Sequence, residues 1–294
     1  MDTTNSSADH SASTVLVTGA TSGIGFSVAR GLARLGATVL VHGRGVERAA
    51  EAVARIGAEQ GRVVPVYADI ETLSGVRELV DQVRHAAPDG INVLVNNAGA
   101  AFDRRAVSAD GVERTMAVNH LAVAGLARGL EFHLRPVDGR PDVPPRVIMV
   151  TSYLEARARP VEDWTFPAEW SQMRAYATSK LTNLAYTYEL AERWRDRIAV
   201  YAVDPGAVRT GFQRSAGGPL RLIGMVGGLL MSAPERPART VVTTAVGDQA
   251  HPTGSYLRAV RAEDKGRVKL SSARSRDREY RRAVYEATQR LLSD

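Results

Sequence analysis

The chain of 294 residues has no cysteine. Disulfides and thiolate metal sites are thereby excluded, which fits a reducing cytoplasm. Lysine is scarce as well: Lys180, Lys265 and Lys269 stand against a large excess of arginine. A lysine in that background is hard to dismiss as generic surface charge. Aromatic residues make up only 6%, and no basic patch interleaves with them. The net charge of +6 is spread along the chain, so nucleic-acid binding is not expected. Long apolar runs are missing too. The nearest, Leu220 to Met231, is broken by Arg221, Gly224, Gly227 and Gly228. It suits neither a bilayer span nor a firm amphipathic helix, so membrane contact is expected to be peripheral at most. Met1 to Ser13 is polar, lacks the basic flank and apolar core of a signal peptide, and reads as a disordered leader.

Residues 14–294 show no linker, repeat or low-complexity tract, and a 44% hydrophobic content can fill one large core. Thr14 to Thr18 reads as a strand, followed at once by Gly19-Ala20-Thr21-Ser22-Gly23-Ile24-Gly25. Phe26 to Leu35 has helical spacing, and Ala37 to Val41 is a second strand. Strand, glycine turn, helix and strand make a βαβ unit whose first turn can cradle a pyrophosphate on a helix N-terminus. Such units often carry an acid about 20 residues past the glycines to hold a ribose hydroxyl. No acid is present here. The strand ends His42-Gly43-Arg44, and arginine suits a 2′-phosphate. NADP(H) is therefore the expected cofactor, with Arg44 on its phosphate.

Further strands are expected at Arg62 to Tyr67, Ile91 to Val95, Arg146 to Thr151 and Ile198 to Val203. Helices are expected at Glu47 to Ala58, Leu73 to Ala86, Ala109 to Leu134 with a break near Gly111, and from Tyr176 to about Trp194. Continuous apolar strands such as Val147-Ile148-Met149-Val150 suit a parallel sheet covered on both faces. The expected fold is α/β, a single-domain, Rossmann-type doubly wound parallel sheet. The short motifs fall just after strands, where such sheets bind ligands.

Tyr176 and Lys180 lie one helical turn apart. An ammonium there would lower the phenol from its ordinary value of about 10, toward acid–base work near neutral pH. Two segments read as lids, Glu155 to Met173 and Gly211 to Pro234. Their Trp164, Phe166, Trp170 and Phe212 suit an apolar or amphipathic substrate, though the same residues would also serve as core or as a dimer contact.

Thr18 to Gly25, Asn96-Asn97-Ala98-Gly99, Asn119, Ser152, Tyr176 with Lys180, and Pro205-Gly206 together resemble the short-chain dehydrogenase/reductases. The resemblance covers about Thr14 to Thr210. Ala109-Asp110-Gly111-Val112-Glu113, then Val118-Asn119-His120-Leu121, and the long gap from Ser152 to Tyr176 (176 − 152 = 24) are similar to the retinol-dehydrogenase-like branch.

The resemblance implies that Gly19, Thr21, Ser22, Gly23, Ile24 and Gly25 line the pyrophosphate loop. Gly43 replaces the acid of NAD-using members. Asp69 and Ile70 would meet adenine, and Asn97, Ala98 and Gly99 the nicotinamide-side ribose. Pro205, Gly206, Val208 and Thr210 would hold the carboxamide. Tyr176 would be the acid/base, Lys180 its tuner and ribose ligand, Ser152 the carbonyl-orienting hydroxyl and Asn119 the proton-relay anchor. His120 reads as structural. The expected function is carbonyl–alcohol interconversion on a small molecule by hydride transfer, with a non-catalytic NADP-binding module as the rival. Association into a homodimer or tetramer through the two long helices is expected, with residues 211–234 as a substrate lid.

Overall fold

The computed structural model describes residues 12–57, 60–161, 163–166, 170–206, 233–247, 251–260 and 263–293. They build an eight-stranded sheet in the order β3-β2-β1-β4-β5-β6-β7-β8. The strands are β1 (Thr14–Val17), β2 (Thr38–Gly43), β3 (Val63–Tyr67), β4 (Val93–Asn96), β5 (Arg146–Val150), β6 (Ala199–Asp204), β7 (Tyr256–Val260) and β8 (Glu263–Val268). All pairings from β3 through to β7 are parallel, and β8 alone runs antiparallel, against β7. The order reverses between β1 and β4, the switch point of a Rossmann-type sheet, where ligands bind at the carboxyl ends of the strands.

Strand alternation divides the core in two. Val15, Val17, Val93, Val95, Ile148 and Val150 pack with Val28 and Leu32 of α1 (Gly23–Arg34) and with Val241 of α7 (Glu235–Val246). The intervening Leu16, Leu94, Val147 and Met149 face the other way. They pack with Leu79 and Val83 of α3 (Leu73–Ala86), Leu126 of α5 (Ala122–Leu130) and Tyr186 of α6 (Gln172–Arg193). A strand apolar on both sides needs this double cover. Helix α2 (Val46–Ile56) closes the outer flank of the first layer through Ala52 and Ile56.

Several expectations shift in detail. The long helix expected at Ala109 to Leu134 is α4 (Arg114–Met116), a π turn (Ala117–Leu121) and α5. Its start is displaced because Asp110 Oδ2 instead accepts the Leu73 amide at 2.9 Å, and Glu113 accepts the Met116 amide at 3.1 Å as the N-cap. Of the expected leader, residues 12 and 13 are described. Ser13 is buried, and its carbonyl accepts the Thr38 amide at 2.9 Å. Strands β7 and β8 went unforeseen, since the charged Glu263–Val268 carries no apolar alternation. Charge of that kind suits an edge strand.

The aromatic residues of the segment after β5 pack inward. Phe166 is buried among Val112, Met116 and Leu121, with Trp164 and Trp170 packed against the same cluster. Of the second expected lid, Gly211 to Pro234, residues 211–232 lie outside the described residues, as do Val208 and Thr210.

The C-terminal α9 (Arg278–Leu291), capped by Asp277, follows the short α8 (Ala273–Arg276). It lies over α6 and α5. Tyr285 stacks on Tyr186 with centroids 5.7 Å apart, Val284 enters the core, and Thr288 Oγ1 meets His120 Nε2 at 2.9 Å. The two long helices expected to carry an association surface are therefore partly covered by the chain's own end. Among the described residues, no helix is long and apolar enough to cross a membrane.

Candidate active site

The glycine turn is held from three sides. Gly19 has φ 62° and Gly23 φ 57°, left-handed values that favour glycine. A Cβ on Gly25 would collide with Asn97 Nδ2 and the Gly19 carbonyl. Asn97 Nδ2 donates to the Thr18 carbonyl at 2.9 Å and to the Gly19 carbonyl at 3.3 Å. Thr18 Oγ1 in turn accepts the Asn97 and Ala98 amides, each at 3.0 Å. The two motifs, some eighty residues apart in the chain, are thus one unit. Ser22 is the N-cap of α1 but makes no side-chain cap bond, which leaves the first-turn amides of α1 without a capping side chain. Ile24 is buried beneath the turn.

Past β2, Arg44 is exposed, and the buried Gly43 has no room for a side chain: a Cβ would approach Thr21 Cγ2 to 2.8 Å. Asp69 is exposed beyond β3 and its Oδ1 accepts the Glu71 amide at 3.1 Å, while Ile70 is buried. Glu71 clamps Arg114 through bonds of 2.7 and 2.6 Å, tying this loop to α4.

At the ends of β4, β5 and β6 the remaining residues converge. Asn119 sits in the π turn and is fully buried. Its Oδ1 accepts the Ala100 amide at 2.7 Å, and its Nδ2 donates to the Ala100 carbonyl at 2.9 Å and to Ser179 Oγ at 3.0 Å. The carboxamide thus straps the loop after β4 to α6. Gly99 passes so close that a Cβ would stand 3.3 Å from Asn119 Oδ1 and 3.8 Å from Lys180 Nζ.

Tyr176 packs against Ala101, as Met173 does, and keeps a partly open edge. Burial pushes its phenol up to about 12, a hydrogen bond with Ser152 pulls it down, and Asp204 and Tyr153 add to the rise. The net direction is opposite to the lowering expected from Lys180. The reason is the burial of the phenol itself; Lys180 Nζ is buried too, donates to the Val150 carbonyl at 3.0 Å and stands 5.7 Å from the Tyr176 ring centroid. Burial lowers Lys180 to about 8, against the opposing pull of Asp204.

Asp204 was missed in the sequence. It is fully buried at the end of β6, accepts the Gly206 amide at 2.9 Å and the Tyr256 hydroxyl at 3.0 Å, and shapes the turn Pro205-Gly206, where Gly206 has φ 71°. Its signal was only its place before Pro205. His42 was also missed: it accepts the Gly19 amide on Nδ1 at 3.2 Å, and its Nε2 meets the Ala68 carbonyl at 3.1 Å. His120 is structural as expected, buried between Trp164 and Tyr186 and tied to Thr288.

Fold and site together define a Rossmann-type protein with an Asn-Ser-Tyr-Lys cluster at the carboxyl edge of its sheet. A family model described as short chain dehydrogenase matches residues 13–160. The chain is 38% identical over 200 residues to a candidate daunorubicin C-13 ketoreductase of Streptomyces sp. (strain C5), covering 67% of this chain and 66% of that one. It is 30% identical over 269 residues to retinol dehydrogenase 14 of Mus musculus, covering 85% and 79%. A solved short chain dehydrogenase from Burkholderia cenocepacia J2315, in complex with NADP, superposes with a TM-score of 0.65 at 27% identity, covering 85% and 97%. The chain belongs to the short chain dehydrogenase family, and its likeness to a retinol dehydrogenase places it with the branch its sequence resembles.

Proposed function

We propose that this chain is an NADP(H)-dependent oxidoreductase that interconverts a carbonyl and an alcohol on a small apolar or amphipathic molecule. The observation that carries the reading is the pairing of the Tyr176 phenol with Ser152, one helical turn from the buried Lys180, at the carboxyl edge of the sheet that also carries the glycine turn. The NADP bound in the Burkholderia structure supports the cofactor, and the ketoreductase name of the Streptomyces relative supports the reaction.

The residues present fit such a cofactor. The cradle at Gly25 that a Cβ would fill, the turn at Gly19 and the uncapped start of α1 suit a pyrophosphate held by Gly19, Thr21, Ser22, Gly23, Ile24 and Gly25. Arg44 beside the side-chain-free Gly43 suits a 2′-phosphate. Asp69 and Ile70 would flank adenine, Asn97 to Gly99 and Lys180 the second ribose, and Pro205, Gly206, Val208 and Thr210 the carboxamide. When bound, the nicotinamide supplies or takes the hydride at the substrate carbon.

The chain's own groups manage the oxygen. As negative charge develops there, the Tyr176 hydroxyl donates its proton and Ser152 donates a second hydrogen bond. A phenol held near 12 stays protonated at neutral pH, the form that carbonyl reduction requires. Asn119 keeps the Gly99–Ala100 backbone against α6, so the site is preorganised. The test is NADPH consumption over aldehydes, ketones and quinones. Tyr176→Phe should abolish turnover and leave NADPH binding nearly intact; substantial residual activity would overturn the assignment.

A further inference from the structure

We propose that the cavity beside Tyr176 selects a substrate bearing a carboxylate on an apolar body, with Arg157 and Arg159 recognising the carboxylate. This rests on the carbonyl–alcohol reading of the same site and names its substrate class. The cavity is a half-open hollow of about 400 Å³, within the range of roughly 300–1,000 Å³ usual for small-molecule sites. Leu154, Met173 and Ala177 form an apolar wall, and Arg157, Arg159 and Arg174 a cationic one. Among the described residues no acid lines it.

Among the described residues of this segment, the carboxylates are engaged elsewhere. Glu155 is buried and accepts the Ser272 amide at 2.8 Å and the Ser272 hydroxyl at 2.6 Å. Asp163 accepts the Thr165 amide and hydroxyl, both at 2.7 Å.

The cavity borders the proposed reacting groups through Leu154, Met173 and Ala177, which neighbour Ser152 and Tyr176 in the chain. The Leu154 amide donates to Ser152 Oγ at 3.3 Å, and Met173 and Tyr176 pack side chains on the same residue, Ala101. The segment that carries the arginines is anchored, since Glu155 ties it to Ser272 and the Arg159 carbonyl accepts Thr178 Oγ1 at 3.3 Å. The aromatic residues that would have made a wholly apolar cleft are instead packed against α4 and the π turn. What remains beside Tyr176 is half apolar and half guanidinium. A planar guanidinium fork pairs with a carboxylate in a way a neutral amide cannot reproduce. Arg157 and Arg159 are exposed, so salt will weaken the contact.

The test is calorimetric titration of the full chain with 4-phenylbutanoate and with the neutral 4-phenylbutanamide. The acid should bind about tenfold tighter or better at low salt. That preference should shrink at high salt and vanish in the double variant Arg157→Gln, Arg159→Gln. Arg157→Lys with Arg159→Lys should restore part of it, because lysine keeps the charge without the fork. Both positions are exposed, and a thermal melt checks that the variants fold. Equal binding of the two probes, no binding of either, or a preference that survives in the glutamine variant would overturn the proposal. The readout needs no turnover. Failure of the hydride-transfer reading shows instead as active Tyr176→Phe, and each idea can fail without the other.

Discussion

His42 accepts the Gly19 amide on its Nδ1 at 3.2 Å, and its Nε2 meets the Ala68 carbonyl at 3.1 Å. One neutral ring thereby ties the ends of β1, β2 and β3 together beneath the glycine turn. Nδ1 can accept only when it carries no proton, so the remaining Nε2–H must be the donor to Ala68. Protonation would turn the acceptor into a donor facing another donor.

That geometry makes stability depend on acid. Burial lowers His42 to about 4 and His120 to about 3, from an ordinary 6.5. In the unfolded chain both take up a proton as pH falls through 6.5, while the folded chain resists. Stability is therefore full above that value and lost as pH falls toward 4 for His42 and 3 for His120. The loss is up to about 1.4 kcal/mol per pH unit for each ring. Urea melts at neutral pH and at a pH inside this window would measure it. His42→Asn, which keeps an acceptor near Gly19, should flatten the slope by up to one histidine's share. An unchanged slope would show that this ring titrates normally.

Arg44→Ala should weaken NADPH much more than NADH. A charge-assisted phosphate contact is worth roughly 1.5–3 kcal/mol, about ten- to a hundredfold in affinity. Arg44 is exposed, so the lower end is expected. Fluorescence titration with both cofactors decides it, and equal losses would remove Arg44 from the 2′-phosphate.

The pH profile of carbonyl reduction should follow Lys180 rather than Tyr176. The phenol stays protonated well beyond neutrality, but Lys180 loses its charge as pH rises past about 8. Reduction should be level through neutral pH and fall above that point. Lys180→Met should lower the rate and remove that limb. Ser152→Ala should cost about 10²–10³ in kcat, the usual worth of one oxyanion donor. A wild-type profile level far above pH 8 would sever Lys180 from the reaction.

The expected homodimer or tetramer was to form through the long helices. Tyr285 on Tyr186, Thr288 on His120 and Leu292 within 3.4 Å of where a Gly125 Cβ would lie show α9 on that surface. Light scattering at micromolar concentration should accordingly report a monomer. A stable dimer would mean that α9 leaves its place or that another face associates.

Much of the fold could be read from local pattern. A helix or strand declares its period within a dozen residues, and Leu73–Ala86 falls where its spacing put it. The glycine turn, the motif at Asn97 and the one-turn spacing of Tyr176 and Lys180 were legible for the same reason: each is a short run beside a strand. Tertiary structure decided what depends on distant partners. Whether Trp164, Phe166 and Trp170 would line a cleft or fill the core was open until Val112, Met116 and Leu121 were seen to receive Phe166. The direction of the Tyr176 shift came from burial, which no spacing reports. Glu155 with Ser272 and His120 with Thr288 join residues 117 and 168 positions apart. Those contacts close the C-terminal segment over the helices, while arginine, not tryptophan, lines the cavity at Met173 and Ala177. Composition and periodicity describe a residue's surroundings only over a turn or two of chain, and these partners lie far outside that range.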